Sequence, residues 1–108
     1  MIYELLSGVT STGNGVRGPV ASIEATEAAY RKVSGYLNGV GTVSASVLIE
    51  GSTDRINWVN LGTLVLSGTA SAEDFFPTGL NAWDHISATP SAITGSGASL
   101  KVFLEVIL

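Results

Sequence analysis

Apolar and polar residues alternate over much of this chain. In "VSASVLIEG", residues 43–51, Val43, Ala45, Val47 and Ile49 share one face. Ser44, Ser46 and Glu50 share the other, with Leu48 the exception. A period of two is that of a half-buried β-strand. "WVNLGTLVLSG", 58–68, is a second such run. It sets Val59, Leu61, Thr63 and Val65 against Trp58, Leu64 and Leu66. "ASLKVFLEVIL", 98–108, is the strongest: Leu100, Val102, Leu104, Val106 and Leu108 alternate with Lys101, Phe103, Glu105 and Ile107. Shorter β-like runs are "IYELL", "ASAEDFF", which should stop at Pro77, and "AWDHISA", which should end before Pro90. Proline cannot donate to a strand ladder.

Turn chemistry separates these runs: "NGVG" at 38–41, "STDRIN" at 52–57, "SGTAS" at 67–71, "PTGLN" at 77–81 and "TGSG" at 94–97. Short strands at this spacing predict an all-β, antiparallel sandwich or jelly-roll-like fold with about seven or eight strands. One segment, "SIEATEAAYRKV" at 22–33, carries good helix formers behind a serine. Its β-like neighbours favour a strand there, with a short helical turn over 24–29 as the alternative. Residues 7–21, "SGVTSTGNGVRGPVA", hold little apolar material. They are expected to form an extended N-terminal arm or loop, since long structureless stretches are often functional or disordered.

The length of 108 residues fits one domain spanning 1–108. The absence of cysteine excludes disulfides and thiolate chemistry. A net charge of −4, with five scattered cations, argues against nucleic acid as a partner. No apolar run is long enough to span a bilayer as a helix. The N-terminus does not read as a signal peptide, so synthesis in the cytoplasm is expected. Few charges and abundant small residues suit a surface packed against other proteins, and equally a plain compact β-domain.

Candidate chemistry is sparse. His85, the only histidine, follows Asp84, and neighbours on a strand point to opposite faces. No nucleophile elbow surrounds any serine. Glu73 and Asp74 are adjacent, not opposed across a bond as glycosidase carboxylates are. "GNGVRG" lacks the lysine and the following helix of a phosphate loop. Glu50, Asp54, Asn57 and Asn60 gather oxygens around "EGSTDRINWVNLG", yet the spacing is not that of an EF-hand. Asp54 and Asn57 are more simply turn residues. No catalytic, cofactor-binding or metal-binding residue is assigned, and no cofactor is expected. Trp58 and Trp83 are candidate structural anchors, with a sugar-stacking platform as the alternative. Phe75 and Phe76 cannot both point inward on a regular strand, so one should face another layer or subunit.

"VSASVLIEGSTDRINWVNLGTLVLSGTASAEDFF" and the later "AWDHISATPSAITGSGASLKVFLEV" resemble a pattern in small structural proteins of tailed bacteriophages. There, a strand ending in "EGS" leads to an "NW" turn, a "LGTLTLSGT"-like strand, an aromatic residue, an "AITGTGA"-like segment and a terminal strand. The similarity spans residues 40–108 and is most like that of capsid decoration, or cement, proteins. It implies a non-enzymatic β-sandwich or jelly-roll body on the outer capsid surface, bridging capsomers, with the major capsid protein as partner. It also implies a homo-oligomer, dimer or trimer, and a place in the virion. The contact surface expected on this reading is the arm, with Val9, Val16, Arg17 and Val20, together with Phe75 and Phe76. A tail, baseplate or fibre-associated β-domain and a carbohydrate-binding module are the alternatives.

Overall fold

The computed structural model describes residues 2–11, 18–22, 30–79 and 83–107. They form β1 (Ile2–Val9), β2 (Val20–Ser22), β3 (Tyr30–Ser52), β4 (Val59–Gly79) and β5 (His85–Ile107). No helix occurs among them. Every pairing is antiparallel, in the order β1–β5–β3–β4, with β2 also beside β5. The all-β, antiparallel expectation therefore holds.

The strand count differs from the expected seven or eight: there are five, and three of them run for 21 to 23 residues. Three of the turn signals are bends inside continuous strands. "NGVG" is a register shift within β3, between Asn38 and Thr42. "SGTAS" bends β4 at Ala70, which has a φ of 65°. "TGSG" bends β5 with Gly95 and Gly97 at φ values of 130° and 64°. "STDRIN" makes the hairpin between β3 and β4, and "PTGLN" lies partly outside the described residues. Glycine marks a departure from regular extended backbone, and a bend satisfies that as well as a reversal does.

Neither proline stops its strand. Pro77 lies in β4 opposite Lys32. β4 is the edge of the sheet, where a missing N–H is tolerated. Pro90 lies in β5 opposite Val47, beside a register shift at Ser46/Val47.

The bends fold the sheet back on itself. A Cβ added at Gly39 or at Gly95 would fall 2.7 Å from Val43 Cγ1, so the strands crowd closely there. Beyond the bend, Leu64 and Leu66 from the first half of β4 reach Gly35 in the first half of β3. A Cβ at Gly35 would sit 3.1 Å from Leu64 Cδ1. Along the open edge, Asp74 Oδ2 accepts the Val65 N–H at 3.0 Å and Oδ1 accepts the Phe75 N–H at 2.9 Å. One carboxylate thus links the two halves of β4. It also occupies two edge donors that could otherwise pair with another chain.

The core follows the alternation. Val43, Ala45, Val47 and Ile49 of β3 are buried, as are Leu100, Val102, Leu104 and Val106 of β5. Each of the valine, leucine and isoleucine side chains among them contributes roughly 1.5–3 kcal/mol when taken from water. In β4 the buried partners are Leu64 and Leu66, while Val59 and Val65 face outward. Leu5 and Leu6 are both buried although adjacent, because β1 shifts register between Glu4 and Leu6.

Parts of the expected arm belong to the sheet. Residues 7–9 complete β1 and residues 20–21 lie in β2. Gly18 N–H donates to Thr89 Oγ1 at 2.9 Å, and Ala88 N–H donates to the Pro19 carbonyl at 3.4 Å. Residues 12–17 lie outside the described residues, and so does the helical alternative over 24–29. The expected strand around 30–33 is the start of β3.

Candidate functional site

The oxygen-rich stretch 50–60 is a structural turn. Asp54 Oδ1 accepts the N–H groups of Ile56 and Asn57, both at 2.8 Å. Asn57 Nδ2 donates to Oδ2 at 2.7 Å, and the Ser52 hydroxyl donates to Oδ1 at 3.0 Å. Ser52 Oγ in turn accepts the N–H groups of Asp54 and Arg55 at 3.2 and 2.9 Å. These bonds hold Arg55 at a positive φ of 65°, a conformation non-glycine residues rarely adopt. Asp54 is therefore committed to the turn. No group of three or more acidic or histidine side chains placed to hold a metal occurs among the described residues.

Backbone donation from Asn57 and then Ile56 holds the Asp54 carboxyl well below the usual aspartate range. A depressed folded value means the contribution is fully present above the ordinary pKa of about 3.9 and is lost as pH falls through the folded value. The Asp54 carboxyl carbon, followed by NMR, is expected to titrate below the ordinary midpoint, with the Ile56 and Asn57 amides shifting in step. A midpoint near the ordinary value would mean the turn forms without those bonds.

The other candidate groups are also engaged. His85 Nδ1 lies 2.8 Å from Ser22 Oγ, where β2 meets β5. Asp74 holds the β4 edge, as above. The Trp83 ring covers Gly51: a Cβ there would come within 2.8 Å of Trp83 Cγ and Cδ2. Trp83 packs against the core and Trp58 is half-buried. One side of the Trp83 ring thus rests on the Gly51 backbone.

Among the expected contact residues, Val9 packs against the core and Val20 is half-buried in β2 opposite Ser87. Both help seat the ends of the arm on the sheet. Val16 and Arg17 lie outside the described residues. Phe76 pairs with Val33 in the ladder, and its side chain is outside the described set. Phe75 is 65% exposed on the outer face.

Phe75 has company that the alternation did not single out. Cross-strand register puts Glu4, Phe103, Ser34 and Phe75 in one row across β1, β5, β3 and β4. Ile2, Glu105 and Lys32 form the next row. Tyr36 stands against Phe103 edge to face, with ring centres 5.9 Å apart. Lys32 Nζ lies 5.6 Å from the Phe75 ring centre and 3.6 Å from Glu105 Oε2. Ile2 is 67% exposed and Tyr36 42%. Ile2, Lys32, Ser34, Tyr36, Phe103 and Glu105 line a shallow hollow of about 230 Å³. Glu4, Glu73 and Lys101 stand exposed around it. An apolar, aromatic centre inside a charged rim is the anatomy of a protein-binding surface. Single exposed apolar residues are ordinary, but a contiguous set on one face is not.

Comparisons of the chain with protein-family models, curated proteins and solved structures return no match.

Proposed function

We propose that this is a non-enzymatic viral structural protein that binds the outer surface of a phage capsid and stabilises the shell by bridging capsomers. The observation that carries this reading is the face on which Ile2, Tyr36 and Phe75 are exposed around the half-buried Phe103. The resemblance of residues 40–108 to phage decoration proteins supplies the kind of assembly. In this reading the bent sheet acts as a two-layer sandwich. The first halves of β4 and β5 and the second half of β3 make one layer, and the remaining halves make the other.

A decoration protein needs a rigid body and a contact surface, not reactive groups. Here Asp54, Asp74 and His85 serve turns, an edge and a strand junction. Many copies on one shell, each burying a modest interface, stabilise the assembled state by mass action. The working unit is a homo-oligomer, the partner is the major capsid protein, and the location is the virion surface.

Gold-labelled antibody on virions of the encoding phage tests the placement. Label spread over the capsid lattice is expected. Label confined to the tail or baseplate would replace this reading with the tail-associated one, and unlabelled particles would overturn both. A sugar-binding module would need an open indole platform, which the packing of Trp83 on Gly51 disfavours.

A further inference from the structure

We propose that Asn38 is a site of spontaneous covalent modification, where the backbone nitrogen of Gly39 displaces the side-chain amide and a carboxylate is left in its place. The inference is independent of the proposed function and rests on the "NGVG" bend of β3.

The reaction needs an asparagine amide that can turn onto the next backbone nitrogen, with no Cβ behind that nitrogen to obstruct it. Asn38 is exposed and is followed by Gly39. Gly39 has no partner in either ladder. Pairing with β5 shifts between Asn38 and Val40, and pairing with β4 shifts between Asn38 and Thr42. The attacking nitrogen therefore lies where β3 is out of register with both neighbours, as at a bulge. The other described asparagines lack this combination. Asn57 precedes Trp58, and its Nδ2 donates to Asp54 Oδ2 at 2.7 Å. Asn60 is paired opposite Glu50 and precedes Leu61.

The chemistry needs only water as co-reactant. Gly39 N attacks Asn38 Cγ and gives up its proton, and the side-chain nitrogen leaves as ammonia. The product is a five-membered cyclic imide. Water then breaks one of its two C–N bonds. Opening at Cγ restores the normal backbone as aspartate. Opening at the main-chain carbonyl leaves isoaspartate, with the chain running through Cβ and Cγ.

The surroundings give the two products different consequences. The bends at 38–42, 67–71 and 94–97 contain no charged residue. Either product places a carboxylate there, ionised above about pH 4. Asn38 stands in a row with Ser71 and Ser99, and the next row is Glu73, Tyr36 and Lys101. The new charge thus appears beside Tyr36 on the aromatic face. Isoaspartate also lengthens the backbone by one carbon next to Gly39. That position is crowded: a Cβ on Gly39 would lie 2.7 Å from Val43 Cγ1, 3.1 Å from the Ser96 carbonyl oxygen and 3.2 Å from Ala98 Cα. Isoaspartate should therefore strain the bend, whereas aspartate should not.

The test ages the folded full-length protein in warm, mildly alkaline buffer and maps its peptides by mass spectrometry. Asn38 should convert about tenfold faster than Asn57 or Asn60, or more, since only its neighbour lacks a Cβ. Both aspartate and isoaspartate should appear at position 38. Asn14, which also precedes glycine, falls on its own peptide and is scored apart. The purified isoaspartate form should melt below wild type, and Asn38→Asp should melt close to it. An Asn38 that converts no faster than Asn57 and Asn60, or only once urea has unfolded the chain, would overturn the proposal. Aspartate without isoaspartate would mean direct hydrolysis by water and would overturn attack by Gly39. An isoaspartate form as stable as Asn38→Asp would overturn the crowding at the bend.

Discussion

Leu64→Ala is expected to destabilise the protein by about 3–5 kcal/mol, the upper part of the range for leucine truncation in a closed core. Leu64 is 0% exposed and its Cδ1 lies where it would meet a side chain at Gly35. Glycine offers no atoms that could move into the void, so the cavity should persist and add to the lost transfer energy. The neighbouring Val65 is 61% exposed on the opposite face. Val65→Ala should stay within about 0.5 kcal/mol, as exposed substitutions usually do. Urea unfolding followed by tryptophan fluorescence compares the two. Equal costs would mean that the halves of the bent sheet do not meet at Gly35. A loss of this size is a large fraction of the 5–15 kcal/mol typical of whole domains.

Gly18→Ala is the second large effect, at about 1–3 kcal/mol. A Cβ at Gly18 would lie inside contact distance of the Ala88 carbonyl, 1.9 Å from its oxygen, and 2.9 Å from its carbon. Those are backbone atoms of β5 and cannot rotate away. The segment must lift, which threatens the Gly18 N–H bond to Thr89 Oγ1 and the Ser87 Oγ bond to the Gly18 carbonyl. Amide exchange should show β2 and residues 87–89 losing protection while the β3–β4 ladder keeps it. Unchanged protection at Ala88 would show that Gly18 is not seated there. If the arm contributes to capsid contact, the same variant should bind capsids more weakly.

Much of the fold was legible in the chain, and the reasons for the exceptions are physical. The buried faces of 43–49 and 100–106 were plain because their outward residues include serine, lysine and glutamate. For 58–66 the pattern showed two apolar faces and could not say which one turns in. Only the contact with Gly35 selects Leu64 and Leu66 over Val59 and Val65. The strand count failed where glycines cluster, since glycine permits a bend and a reversal equally. The Asp54 turn was legible because Ser, Asp and Asn at close spacing bond their own backbone. The aromatic face was only partly so. Phe75 stood out beside Phe76, and Phe103 sat visibly on the polar side of its strand. Tyr36, Ile2 and Lys32 join them only through cross-strand register, which no local pattern records.

Sedimentation of purified protein with undecorated capsids of the encoding phage tests the proposed function most directly. Wild-type protein should co-sediment at a fixed number of copies per capsid and raise the temperature at which the shell comes apart. Failure to co-sediment, or binding that leaves the shell's heat resistance unchanged, would contradict a role as a capsid cement.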